Sequence, residues 1–193
     1  MAIKRIGILT GAGDVPGLNA VIKSATYPSS ENDIEIFGVR RGWEALTHLN
    51  IEDASSTSHY VTVLHTSRTN PARMRKLPAY LVAQDFPASL SAKGEKTWDV
   101  SKQVLANLSA LGIEHLIAIG GDDTLGYAAK LNELGVKIIA ISKTMDNDVR
   151  NTEYCIGFST AITRASDAIQ RQRTTVGSRS CSGWCACPQG AVG

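Results

Sequence analysis

Three short segments of this chain combine small residues, carboxylates and cations at spacings that suit phosphate chemistry. The first is Thr10-Gly-Ala-Gly-Asp-Val-Pro-Gly-Leu-Asn19, which follows an apolar run and is expected to open a helix near Pro16 or Gly17. Small residues let backbone N–H groups close on an anion, and a helix N-terminus adds a favourable dipole. A plain tight strand-to-helix turn has the same composition, so this stretch alone leaves both readings open. The second is Gly120-Gly-Asp-Asp-Thr124. Gly120 and Gly121 allow close backbone approach, while Asp122 and Asp123 are hard oxygen donors suited to magnesium held against phosphate. One Asp would suffice to cap a helix starting near Thr124. Two adjacent ones after Gly-Gly favour the metal.

The third segment is Ser142-Lys-Thr-Met-Asp-Asn-Asp148. Two carboxylates share it with a lysine and a threonine, the inventory of phosphoryl transfer. One carboxylate can accept a hydroxyl proton, the other can assist a metal, and Lys143 can neutralise developing charge. An Asx-rich turn is the bland alternative.

The elements that must position these segments are legible from periodicity. Apolar, β-branched runs at 3–9, 34–39, 115–119 and 137–141 read as strands, and each chemistry-bearing segment directly follows one. Val100, Val104, Leu105, Leu108 and Leu111 recur at helical spacing, as do Ala161, Ile162, Ala165, Ala168 and Ile169. Strands apolar along their whole length imply a parallel sheet covered on both faces, and the helices supply its crossovers. The expected fold is α/β, a three-layer α/β/α arrangement with a mostly parallel sheet. Ligands in such sheets bind beyond the carboxyl ends of the strands, so all three segments should meet along one edge. Residues 50–87 are harder to assign: a strand at 60–64 and a polar loop at 65–71 are expected, with 77–92 a short helix followed by a turn.

Composition narrows the class. The chain has 193 residues, 43% hydrophobic and 20% charged, with 20 Lys+Arg against 18 Asp+Glu. Near-balanced charge without runs of like sign argues against nucleic acid or membrane surface as partner. No apolar stretch approaches the ~18 residues of a membrane helix, and the first ten residues lack a secretory pattern, so the expected location is the cytoplasm. The cysteines, Cys155, Cys181, Cys185 and Cys187, do not form a secreted disulfide framework. The last three lack a fourth ligand at zinc spacing.

Taken together, Thr10-x-x-Gly-Asp-x-Pro-Gly-x-Asn19, Ser67-Arg-Thr-Asn-Pro71, Gly120-Gly-Asp-Asp-Thr124, Lys143-Thr-Met-Asp-Asn-Asp148 and Tyr154-Cys-Ile-Gly-Phe158 resemble, in order, the motifs of the 6-phosphofructokinase family. The resemblance runs from about residue 3 to 178. It implies transfer of a phosphoryl group to the 1-hydroxyl of fructose 6-phosphate in glycolysis, with Mg2+ as cofactor and homo-oligomers among full-length members. By the same resemblance Asp146 is the catalytic base, with Lys143 and Thr144 beside it. Asp122 binds magnesium, and Gly11, Arg68, Gly121 and Asp123 lie against the donor. Thr144 and Asp148 hold the sugar phosphate and the transferring group. Two departures are Ala12 and Ala45, where the family usually has glycine.

The donor follows from two positions. Members using ATP tend to have glycine where Asp123 and Lys143 stand, so this pair resembles the pyrophosphate-dependent branch; ATP is the alternative donor. Asp123 carries more of the inference, because some ATP-using members keep the lysine.

Residues 1–178 are expected to form an incomplete, donor-binding part of the family fold. Residues 179–193 hold one charged residue, no Asp or Glu, and none of the family's continuation. That tail is read as disordered and as the product of a shifted reading frame. The chain is then an amino-terminal, truncated piece and an inactive fragment of the enzyme; a non-catalytic phosphate-binding fragment is the third reading.

Overall fold

The computed structural model describes residues 4–48, 64–91 and 94–178, with side chains described as far as Arg173. Along the chain these residues form β1 (Lys4–Thr10), α1 (Leu18–Glu31), β2 (Ile34–Val39), α2 (Trp43–His48), two one-turn 3-10 helices (Pro71–Arg73 and Ala79–Leu81), β3 (Ala88–Leu90), β4 (Lys96–Trp98) and α3 (Ser101–Ala110). There follow β5 (His115–Gly120), α4 (Asp122–Glu133), β6 (Lys137–Thr144), β7 (Ile156–Gly157) and α5 (Phe158–Ser178). The chain divides into two compact units, residues 1–158 and 159–193. Within the described part of the second, α5 carries Ala161, Ile162, Ala165, Ala168 and Ile169 at helical spacing.

In the first unit β2, β1, β5, β6 and β7 lie side by side in that order, every pair parallel. Successive residues of a strand point to opposite faces, so Ile8 and Leu9 enter different cores. Ile8 joins Ile119, Val15, Leu18 and Leu64 on the face covered by α1. Leu9 joins Leu116, Ala118, Trp43, Leu108 and Leu131 on the face covered by α2, α3 and α4. Each such fully buried side chain contributes about 1.5–3 kcal/mol relative to exposure, which holds the three layers together. Trp43 and Tyr127 meet edge to face at 4.9 Å, and the Trp43 indole N–H donates to the Thr124 carbonyl at 3.3 Å. That bond ties α2 to the first turn of α4.

The chain leaves β1 for β2 on one side of the sheet and reaches β5 on the other, with α1 and α4 on opposite faces. The turns after β1 and β5 therefore diverge, and a crevice opens between them.

Several expectations are corrected in detail. β6 does not stop at Ile141 but runs to Thr144, because Lys143 and Thr144 pair in parallel with Ile156 and Gly157. Lys143 and Thr144 are thus strand residues, not loop residues. α4 starts at Asp122 rather than Thr124, and α1 at Leu18. The helix expected within 77–92 is one 3-10 turn, since Ala88–Leu90 pairs with Lys96–Trp98 as a hairpin. Of the strand expected at 60–64, residues 60–63 lie outside the described residues, and Leu64 is not in a strand. The tail, 179–193, also lies outside them. α2 holds Ala45, where a helix interior favours alanine over glycine. No helix among the described residues is long and apolar enough to cross a membrane.

Candidate active site

The turn after β1 is built by cross-connections. The Gly11 N–H donates to the Ile119 carbonyl at 2.8 Å and the Ala12 N–H to the Ser67 carbonyl at 2.8 Å. The Thr10 hydroxyl donates to the Leu64 carbonyl at 3.1 Å. These bonds lay the polar 64–70 segment across the ends of β1 and β5, which brings Arg68 to the crevice. Ala12 has φ 61, the left-handed region that costs an alanine about 1 kcal/mol. The departure from the family's usual glycine is therefore a backbone strain rather than only a crowding of the turn.

Gly11 and Gly120 share a neighbour. A Cβ on either would collide with the Thr124 side chain, which is 5% exposed and wedged where β1, β5 and α4 meet. Both glycines are required for that close packing. Gly121 then caps α4 from extended backbone, with no side-chain cap, and places Asp122 and Asp123 in the first turn. Neither Asp serves as the cap that a purely structural reading assigned to it. Carboxylates are favourable at that end of the helix dipole.

The third segment is held from two sides. The Asp146 N–H donates to Thr144 Oγ1 at 3.1 Å, and the Thr144 hydroxyl donates to Asp148 Oδ1 at 3.4 Å. Asn147 has φ 53, and its Oδ1 accepts the Cys155 N–H at 2.8 Å while its Nδ2 reaches the Glu153 carbonyl at 3.4 Å. The segment around Tyr154 thus anchors Asn147, leaving the flanking carboxylates to the crevice. Cys155 is buried, as a small apolar residue is expected to be.

Arg68, Gly121, Asp122, Asp123, Lys143, Thr144, Asp146 and Asp148 line one cavity of about 360 Å³, together with Gly13 and Asp14. Gly11 does not line it; it lies beneath, against Thr124. Lys143 is 2% exposed, and its ammonium donates to the Gly13 carbonyl. Burial pushes the Lys143 pKa down, opposed by the Asp14 charge and reinforced by Arg68. Among the described residues no three His, Cys, Asp or Glu side chains gather as a self-sufficient metal cage. The hard carboxylates around the cavity would suit a magnesium ion that takes its remaining oxygen ligands from a bound phosphate.

A family model described as phosphofructokinase matches residues 5–182. The chain belongs to the phosphofructokinase family. A pyrophosphate–fructose 6-phosphate 1-phosphotransferase of Dictyoglomus thermophilum is 36% identical over 183 residues, covering 91% of this chain and 46% of the relative. An ATP-dependent 6-phosphofructokinase of Macrococcus caseolyticus is 35% identical over 176 residues, covering 91% and 50%. The phosphofructokinase structure from Saccharomyces cerevisiae superposes with a TM-score of 0.65 at 20% identity, covering 91% of this chain and 24% of that one, which shows the shared α/β fold. The chain spans about half the length of the relatives it matches.

Sequence reasoning missed two contributors within this phosphofructokinase-family crevice. Asp14 sits inside a motif that by itself assigns it no role; its charge acts on Lys143. Arg73 opens the basic stretch Arg73-Met-Arg-Lys76 outside the motifs and stands beside the cavity rather than in its lining; its guanidinium donates to Asp123 Oδ1 at 3.0 Å.

Proposed function

We propose that this chain is the donor-binding half of a pyrophosphate-dependent phosphofructokinase that phosphorylates the 1-hydroxyl of fructose 6-phosphate. The observation that carries the reading is the single cavity in which Lys143 and Arg68 face Asp122, Asp123, Asp146 and Asp148. Cations there hold phosphate oxygens, and a carboxylate within the same space removes a proton. In the reaction the sugar hydroxyl oxygen bonds to one phosphorus of pyrophosphate. The bridging P–O bond breaks, phosphate leaves, and Asp146 takes the hydroxyl proton. Thr144 orients Asp148, and through its Oγ1 fixes the backbone at Asp146. Asp122 would hold Mg2+, which when bound neutralises charge on the phosphoryl oxygens.

Pyrophosphate is favoured over ATP by Asp123, whose carboxylate stands at the mouth of the cavity where a nucleotide would continue. ATP-dependent relatives are as similar overall, so the donor rests on this position and on Lys143. The cytoplasm is the fitting location for such an enzyme, and complete members are expected to assemble with copies of themselves.

Calorimetric titration of pyrophosphate and of ATP into the chain, each with magnesium, tests the reading. Pyrophosphate heat that disappears in Asp122→Asn, with no comparable heat from ATP, is the expected result. Tighter binding of ATP would transfer the chain to the ATP-dependent class. Binding of neither would leave no donor site.

A further inference from the structure

Arg73 ends the 3-10 turn Pro71–Arg73, outside every motif read above. This turn is itself held by Asn70, whose Oδ1 accepts the Ala72 N–H at 3.0 Å, and by the Val100 N–H, which donates to the Pro71 carbonyl at 2.9 Å. Arg73 is therefore presented from a fixed backbone. Its guanidinium meets Asp123 at 3.0 Å. Among the described residues, Asp123 is the only acid lining the phosphate cavity that is in an ion pair, and Arg73 itself does not line that cavity.

Asp123 also has a particular position. Three cavities meet around it: the phosphate cavity, a larger cleft lined by Arg68, Arg73, Arg75 and Lys76, and a third bounded by Ala72, Gly126 and Lys130. Among the described residues it alone lines all three. An unpaired carboxylate at such a junction would repel any polyanion entering from solvent and would compete with Asp122 for the metal. Paired, its charge is answered from the side away from the phosphate cavity.

We propose that Arg73 is a positioning residue for donor binding, which acts through Asp123 by neutralising and holding its carboxylate so that pyrophosphate can occupy the cavity. Asp123 then excludes larger donors by the space it fills rather than by its charge. This rests on the reading of the cavity as a pyrophosphate site.

The test is a double-mutant cycle on the 193-residue chain, read by calorimetric titration of pyrophosphate at fixed magnesium and low ionic strength. Circular dichroism confirms that each variant keeps the wild-type fold. Arg73→Gln is expected to weaken pyrophosphate about two- to fivefold, the upper scale of one exposed ion pair. Asp123→Asn alone should change affinity by less than it does in the Arg73→Gln background, because Arg73 answers that charge only in the wild-type chain. In the Arg73→Gln background the same change should restore most of the loss. Arg73→Lys should bind nearly as wild type. A merely structural loss is not rescued by a second substitution, and independent long-range charges would make the two effects add. Additive effects, no rescue, or an unchanged affinity in Arg73→Gln would overturn the proposal while leaving the pyrophosphate site in place. Failure of wild-type chain to bind pyrophosphate would overturn both.

Discussion

The buried Lys143 ammonium donates a hydrogen bond to the Gly13 carbonyl and so joins the end of β6 to the turn after β1. One side chain thus connects two of the three segments around the cavity, and its charge is supplied at a cost. Burial disfavours the ammonium, and the pKa is held below its ordinary 10.5.

That cost sets a pH dependence. Between the lowered folded value and 10.5 the unfolded chain binds the proton that the folded chain releases, so the Lys143 contribution to stability rises with pH across this window, against the opposite contributions of Tyr80 and Tyr127, whose pKa values burial raises. Below the folded value the penalty is constant. Lys143→Met should remove the rise, seen as a flattened denaturation midpoint against pH on the alkaline side. The same change should weaken pyrophosphate on the order of tenfold or more, since a hydrogen bond to a charged group contributes ~1.5–3 kcal/mol. A retained alkaline slope would move its origin to another group.

Ala12→Gly should stabilise the fold. Relief of the left-handed φ of 61 is worth about 1 kcal/mol, partly offset by the greater freedom of glycine in the unfolded chain. The check is a denaturant midpoint that moves upward at constant slope. A lower midpoint would show that the methyl group packs favourably.

Gly120→Ala should do the reverse. Its new Cβ would run into Thr124 at a junction of β5 and α4, where overpacking typically costs about 1–3 kcal/mol. Thr124→Ser in that background removes one of the colliding atoms and should recover part of the loss. If thermal melts show no change for Gly120→Ala, the wedge around Thr124 is not tight.

Asp146→Ala, in a chain that carries this half together with the remainder of the family fold and turns over substrate, should lower kcat about 10²- to 10⁴-fold, the usual contribution of a positioned base. Pyrophosphate binding should stay within a few-fold of wild type. A change in kcat of less than tenfold would assign the proton to another group.

Asp99 supplies an acid-side test away from the crevice. Burial pushes its carboxyl up, but hydrogen bonds from Lys130 and Ser101 together with the Lys130 charge outweigh this and hold it below its ordinary 3.8. The stability it adds is therefore present above 3.8 and lost as pH falls through the lower folded value. Asp99→Asn should lower the midpoint at neutral pH and shrink its acid-side decline. Equal declines in both proteins would show that Asp99 contributes little.

Local pattern and spacing alone determined much of this protein. Runs such as Ile34–Val39 and His115–Ile119 are rich in apolar and β-branched residues, and the parallel strands follow, although the expected cover on both faces does not extend to β6, where Ile139 is 65% exposed. Glycines beside paired carboxylates at strand ends pointed to the crevice before any contact was known, because the chemistry and the close approach are properties of residue type. What tertiary structure decided depends on partners distant in the chain. β6 reaches Thr144 only because Ile156 and Gly157 lie beside it, and no window around Lys143 contains them. Likewise Arg73 matters only because its turn, 50 residues from Asp123, is set by Asn70 and Val100 at the place where α4 begins. Ala12 has its strained φ because the Ser67 carbonyl and the end of β5 fix the backbone on both sides. Periodicity records which way a residue faces, whereas pairing across the fold decides what it meets there.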